Sequence, residues 1–222
     1  MSGIIYIVST PIGNLGDITL RALSILKEAD LILCEDTRVT GKLLDHYSLK
    51  TPVLSYHQHS GPKRMREIEA RLKQGQKLAL VTDAGTPGIS DPGNELIQHL
   101  ICNPTLIAIV PVPGVSAVIT ALSISGFPTD KFSFLGFPPH KKKRKKFFTA
   151  VAESRSTVVF YESSHRIKKS LRELAKIMPA NTPLCVCREL TKKFETVYRG
   201  TVEEILKLEM PEKGEFVVLA RL

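Results

Sequence analysis

The chain has 222 residues, 43% hydrophobic and 24% charged, enough to bury a core as one large or two small domains and too apolar for a disordered segment. Its longest apolar runs, Ile4 to Val8 and Leu106 to Val112, are far short of the roughly 18 residues of a membrane span, and its start has no basic leader stretch, so a soluble cytoplasmic protein is expected. The net charge of +9 is uneven: residues 1–113 carry 11 basic and 11 acidic groups, whereas residues 114–222 carry 20 and 11, a half suited to a polyanion.

In the first half, short aliphatic runs alternate with amphipathic stretches, the pattern of parallel βα units. Strands are expected at Ile4–Val8, Leu31–Cys34, Val53–Tyr56, Leu78–Thr82 and Leu106–Val110. Asp17 is placed to cap a helix with the apolar stripe Leu20, Leu23 and Leu26. Further helices are expected from Glu35-Asp36-Thr37-Arg38 to near Tyr47, at Arg64–Lys73 and at Glu95–Ile101. Beyond Pro111-Val-Pro113-Gly114 a small-residue stretch, Val115–Ser125, reads as a helix, and then the pattern changes. Strands at Lys131–Phe137, Thr157–Tyr161, Leu184–Arg188, Glu195–Arg199 and Glu215–Arg221, with helices near Lys142–Val151, Arg166–Ile177 and Val202–Leu206, describe a mixed sheet. The expected fold is α/β in two domains: 1–113 around a mostly parallel five-stranded sheet, and 114–222 around a mixed one.

Four cysteines without a C-x-x-C pair form neither a disulfide framework nor a structural zinc motif, and buried free thiols are expected. Cys185 and Cys187, two apart, share a face if their segment is a strand.

Three Gly-bearing loops follow three expected strands of the first half. The candidate ligand contacts are Pro11, Gly13, Asn14, Leu15, Gly16 and Asp17 in the first loop. Asp83, Ala84, Gly85, Thr86, Pro87, Gly88, Ser90 and Asp91 stand in the second, and Pro113, Gly114, Ser116 and Ala117 in the third. In a parallel sheet ligands bind beyond the carboxyl ends of the strands, where these loops converge. Glycine lets backbone approach a ligand, and proline stiffens the loop. Each loop alone could be an ordinary turn; three on one edge are hard to attribute to turns. Neither G-x-G-x-x-G nor G-x-x-x-x-G-K-[ST] occurs, which disfavours a phosphate-rich nucleotide. The carboxylates of Asp17, Asp83 and Asp91 suit ribose hydroxyls or a cationic centre, the features of a nucleoside without phosphates.

The segments Ile7-Val-Ser-Thr-Pro-Ile-Gly-Asn-Leu-Gly-Asp-Ile18, Glu35-Asp-Thr-Arg38, Ser55-Tyr-His-Gln-His59, Asp83 to Gly93, Phe160-Tyr-Glu-Ser163 with His165-Arg166, and Arg188-Glu-Leu-Thr-Lys192 resemble the ribosomal RNA small subunit methyltransferase I family. The resemblance spans essentially the whole chain and places it among tetrapyrrole-methylase-like enzymes that use S-adenosylmethionine. It implies 2′-O-methylation of a cytidine ribose in the decoding region of 16S rRNA, two α/β domains with the cofactor in the cleft between them, and a homodimer. Two departures stand out. The sequence stops at Leu222, where many relatives continue into a further C-terminal segment, and Asn103-Pro104 stands where relatives often have Gly.

Methyl transfer to a hydroxyl needs in-line positioning and a group that takes or polarises the proton. Glu35, Asp36 and His57 are the candidate bases. Each has a structural alternative: Asp36 as a helix cap, Glu35 in a pair with Arg38, and His57 with His59 as surface residues on one strand face. Lys141, Lys142, Lys143, Arg144, Lys145 and Lys146 are candidate RNA contacts, with a solvated helix face as the alternative. Phe137, Phe147 and Phe148 are either base-stacking rings or the buried side of that helix. Two rival functions remain at this level: a methyltransferase of the same fold acting on a small tetrapyrrole, and a non-catalytic RNA-binding assembly factor.

Overall fold

The computed structural model describes residues 3–102 and 107–221. The Asn103-Pro104 turn, the expected first residue of the fifth strand (Leu106) and the final Leu222 lie outside the described residues. The chain divides into two compact units, Met1–Ser116 and Ala117–Leu222.

In the first unit, β1 (Ile4–Val8), β2 (Leu31–Cys34), β3 (Val53–Ser55), β4 (Lys77–Leu80) and β5 (Ala108–Val112) form a sheet of order β3-β2-β4-β1-β5. All neighbouring pairs are parallel. Helices α1 (Leu20–Glu28) and α2 (Thr37–His46) contribute to the core on one face, α3 (Pro62–Lys73) and α4 (Asn94–Cys102) to the core on the other. Alternate strand residues serve the two cores. Val8, Ile32, Cys34 and Ala79 pack with Leu26, Leu43 and Leu44, while Ile5, Leu31, Leu33, Leu78 and Leu80 pack with Ile68, Leu72 and Leu96. Because both faces are dry, these strands read as unbroken apolar runs.

Two local expectations give way. Thr19 caps α1, its hydroxyl accepting the Ala22 N–H, while Asp17 ends a short 3-10 turn, Leu15–Asp17. Leu20 is 87% exposed, so the buried stripe of α1 runs through Ala22 and Leu26. Strand β5 is displaced toward Val112 by its register on β1, Ile4 with Ala108 through Val8 with Val112; Pro111 is tolerated because β5 is an edge strand.

In the second unit, β6 (Phe132–Phe134), β7 (Thr157–Ser163), β8 (Pro183–Arg188), β9 (Thr196–Thr201) and β10 (Glu215–Ala220) form a mixed sheet of order β6-β7-β10-β8-β9. Only the β6–β7 pair is parallel. Helices α6 (Arg144–Ala152), α7 (Ile167–Ala175) and α8 (Val202–Lys207) bury one face, with Phe148, Leu171, Leu174 and Ile205 against Phe160, Val186, Phe216 and Val218. Full burial of Phe160 and Phe216 is worth about 1.5–3 kcal/mol each. Ile167, Ser170, Leu171 and Leu174 keep the i, i+3, i+4, i+7 spacing of a core-facing helix, and α8 opens on a capping box of Thr201 and Glu204. The apolar helix α5 (Ala117–Ser125) packs on β10 through a buried side that includes Val118, Ala121 and Leu122.

Cys34, Cys185 and Cys187 are buried free thiols, the last two with Sγ atoms 3.9 Å apart on β8; Cys102, in the exposed last turn of α4, is a correction to the expectation of burial. Among the described residues no helix is long and apolar enough to cross a membrane.

Candidate active site

Because the first sheet is wholly parallel, the loops after β1, β4 and β5 leave from one edge, and hydrogen bonds stitch them together. Thr10 and Gly85 exchange backbone bonds, N–H to carbonyl, at 2.9 and 3.1 Å. The Thr10 hydroxyl donates to the Thr82 carbonyl at 2.9 Å, the Ser9 and Thr86 hydroxyls lie 2.9 Å apart, and Thr86 donates to the Val115 carbonyl at 3.1 Å. Ser9 and Thr10 belong to the first of the segments that carry the family resemblance but are not among the expected ligand contacts, and no motif marks Thr82. The further signal of Ser9 and Thr10 is a hydroxyl residue directly behind an apolar strand, where a buried polar group must find a partner, whereas Thr82 takes part through its backbone carbonyl.

Within this edge the glycines have separate reasons. Gly85 has φ +89°, and at Gly114 a Cβ would stand 2.9 Å from that of Ser9, so both positions exclude larger residues. The second loop closes on itself through Gly88 N–H to the Pro92 carbonyl and Asn94 Nδ2 to the Gly88 carbonyl, with Ser90 also at positive φ. The first loop turns on Asn14, whose Oδ1 accepts the Gly16 N–H, and is tethered by the Tyr47 hydroxyl on the Leu15 carbonyl at 2.6 Å. Gly13, Asn14, Leu15, Gly16, Asp83, Ala84, Ser90, Pro113 and Gly114 are exposed, whereas Pro11, Gly85 and Pro87 are buried supports. Ser116 ends the first unit, and Ala117 opens α5 in the second.

Beyond β2, β3 and β4 lies an open polar pocket of about 540 Å³ lined by Glu35, Asp36, Arg38, Ser55, His57, Gln58, His59 and Asp83, with Thr37. All three candidate bases are here, in different states. Asp36 is the N-cap of α2 and is gripped by Arg38, with Nη2 to Oδ2 at 2.6 Å and Nε to Oδ1 at 3.0 Å. The Arg38 hydrogen bonds hold its carboxyl down at about 2, which makes it a weak proton acceptor. Arg38 therefore pairs with Asp36 and not, as its spacing allowed, with Glu35. His57 and His59 lie in a turn past β3 instead of on a strand face. His57 Nδ1 accepts the His59 N–H at 3.2 Å, so the neutral ring carries its proton on Nε2 and acts as a donor.

Glu35 differs from both. Burial, then the nearby Asp83 charge, raises its carboxyl above the ordinary range, and no hydrogen bond opposes this. Asp83 is raised by burial although it accepts the Asp36 N–H at 3.2 Å, and Asp91 is raised by burial and by Glu35 to about 6. Burial thus raises all three carboxyls, Asp83 adds to the rise of Glu35 and both add to that of Asp91, while Arg38 beside Asp83 and His57 beside Glu35 offset only part of it.

The basic run lies in the second unit and divides. Lys141, Lys142, Lys143, Lys145 and Lys146 are exposed. Arg144 is only 6% exposed: its guanidinium binds Glu173 at 2.7 Å, the Ser170 hydroxyl at 2.7 Å and the Pro139 carbonyl at 3.1 Å, over the Phe148 ring. It is an internal strut, which corrects its assignment as an RNA contact. Phe148 is buried in the core and Phe147 packs against it, while Phe137 is 51% exposed beside Tyr161.

The sequence profile of the family described as Tetrapyrrole (Corrin/Porphyrin) Methylases matches residues 4–206. The chain is 46% identical over 220 residues to a Synechocystis protein named Ribosomal RNA small subunit methyltransferase I, covering 98% of this chain and 78% of that one. The protein of the same name from Bacillus subtilis is 43% identical over 222 residues, 98% of this chain and 74% of the relative. Among solved structures, a cobalt precorrin-4 methyltransferase is similar with TM-score 0.70 at 23% identity, covering 98% of this chain and 94% of that one. A uroporphyrin-III-C-methyltransferase from Thermus thermophilus reaches TM-score 0.68 at the same identity and coverage. At that identity the likeness is one of fold.

Proposed function

The chain belongs to the tetrapyrrole methylase family, within the ribosomal RNA small subunit methyltransferase I proteins, and from that premise we propose that it methylates the ribose 2′-hydroxyl of a cytidine in the decoding region of 16S rRNA. It is a methyltransferase; S-adenosylmethionine is the donor in this reading. The single observation that carries the reading is the stitched edge of three glycine loops beside a polar pocket whose Glu35 and Asp83 carboxyls are raised by burial. A cation with hydroxyl and ammonium donors relieves the mutual repulsion of Glu35, Asp83 and Asp91, so the donor set fits this cofactor. When bound, the cofactor supplies an electrophilic methyl group.

The chain's own residues supply the rest. Gly85 and Gly114 let the loops meet closely, Ser9, Thr10 and Thr86 fix them, and Asp83 and Asp91 meet the donors. Glu35, to whose carboxyl no hydrogen bond is made among the described residues, would take the proton of the attacking hydroxyl while the methyl group passes from the donor's sulfonium, which leaves as a neutral thioether, and its raised pKa makes it a better base than Asp36. His57 donates from Nε2, and Asp36 with Arg38 holds the start of α2. The exposed lysines near 141–146 meet RNA phosphates, which favours RNA over a small tetrapyrrole; an assembly factor without catalysis leaves the stitched loops idle. A homodimer in the cytoplasm completes the reading.

The test is methylation of small ribosomal subunits by the purified protein with labelled S-adenosylmethionine, followed by mass mapping of the 16S rRNA. A ribose-methylated cytidine in the decoding region is expected. A base-methylated product, or methylation of a porphyrin precursor in place of the subunit, overturns it.

A further inference from the structure

We infer that the exposed face of α7 is the second half of a cationic RNA-binding surface, held in fixed relation to the Lys141–Lys143 loop by a buried clamp centred on Glu162. This rests on the RNA-substrate reading given above. Strands β6 and β7 run parallel, so the chain leaves both toward the same edge of the second sheet, and the segments leading into α6 and α7 begin there side by side. The exposed positions of α7 include Lys168, Lys169 and Arg172, and Lys176 follows as its C-cap, a stripe with no acid of its own; Glu173 is turned to Arg144. Lys168 pairs with Glu212 at 2.9 Å, while among the described residues no ion pair involves Lys169, Arg172 or Lys176, nor Lys141, Lys142 or Lys143.

Helix stability does not account for these cations. The first turns of α6 and α7 carry Lys145 and Lys146, and Lys168 and Lys169, at the helix end where the macrodipole disfavours positive charge. Neither helix has a side-chain cap, and Lys143 leads into α6 at φ +66°. An anionic partner with closely spaced charges offsets this repulsion, and a phosphodiester backbone has them.

The clamp sets the two rows against each other. Glu162 on β7, fully buried, binds Arg166 Nε at 3.1 Å, lies 3.7 Å from Arg144, and accepts the Ser170 hydroxyl and the Ser163 N–H. The same two arginines hold consecutive carbonyls of the loop, Arg166 that of Pro138 and Arg144 that of Pro139, and Arg166 also meets His140 at 3.4 Å. The loop that presents the lysines is thereby fastened to the strand and helix behind it. A surface preset in this way binds phosphates without first ordering a mobile loop.

The experiment measures binding of isolated small ribosomal subunits against salt concentration for three variants of the full chain. The loop variant Lys141/142/143→Ala and the helix variant Lys169→Ala/Arg172→Ala/Lys176→Ala should each lower the slope of log K against log salt, by about 0.7 to 0.9 for every phosphate no longer neutralised. Arg166→Lys keeps the charge but cannot span Glu162 and Pro138 together; it should weaken binding several-fold with the slope unchanged, and speed tryptic cleavage within 141–146. An unchanged slope in the helix variant, with a reduced one in the loop variant, overturns the α7 surface and spares the RNA reading. Unchanged slopes in both sink that reading and the inference with it. Full affinity and tryptic resistance in Arg166→Lys overturn the clamp.

Discussion

The two units handle buried carboxylates in opposite ways. In the second, Glu162 is fully buried but surrounded by Arg144, Arg166 and the Ser170 hydroxyl. In the first, Glu35 and Asp91 are only partly buried and Asp83 is exposed, yet all three carboxyls are raised, because the nearby Arg38 and His57 offset only part of their burial and mutual repulsion. A compensated charge is scaffold, whereas a charge only partly compensated at a sheet edge is available to a ligand or a proton. The degree of burial alone would have ranked them the other way.

The largest expected effect breaks the comparison on the catalytic side. Glu35→Gln should lower single-turnover methylation at saturating cofactor by about 10² to 10⁴ while RNA affinity stays nearly intact, and Asp36→Asn and His57→Ala should cost much less. Equal losses for all three, or none for Glu35, would remove the distinction between them. Next comes Glu162→Ala, which leaves two arginines facing a cavity and should destabilise the protein by about 3–5 kcal/mol in urea denaturation. A loss under about 1 kcal/mol would class it with surface pairs.

Gly85→Val forces a β-branched residue to φ +89° in the strap between two loops, and calorimetry should show at least a tenfold weaker S-adenosylmethionine affinity, about 1.4 kcal/mol. The smallest effect concerns Asp91. Its folded-state pKa of about 6 lies above the ordinary 3.8, so the folded protein holds the proton more tightly and loses stability as pH rises through that window. Asp91→Asn should therefore raise the cofactor-free Tm at pH 7 by about 2–4 °C, the change that ~1 kcal/mol gives in a chain of this size, and have no such effect near pH 4. Cofactor affinity of the unaltered protein should rise through pH 6 as Asp91 ionises to meet a cation, and calorimetry from pH 5 to 8 would expose a flat profile.

The sequence by itself determined the parallel βα order of the first unit, the mixed sheet of the second and the gathering of three loops on one edge. Hydrophobic runs and glycine positions are local signals, and parallel connection leaves few other arrangements. It also narrowed the candidate bases to three residues that line one pocket. Only the tertiary structure decided what each charge does. That Arg38 takes Asp36, that His57 spends Nδ1 on the next turn, that Arg144 turns inward from five exposed lysines, and that Thr19 displaces Asp17 as the cap of α1 all depend on which partner lies within about 3 Å. A residue's charge and spacing are written in the sequence. Its desolvation and its partner are set by distant segments brought together by packing, and these fix whether the same carboxylate or guanidinium serves as strut, cap or reactive group.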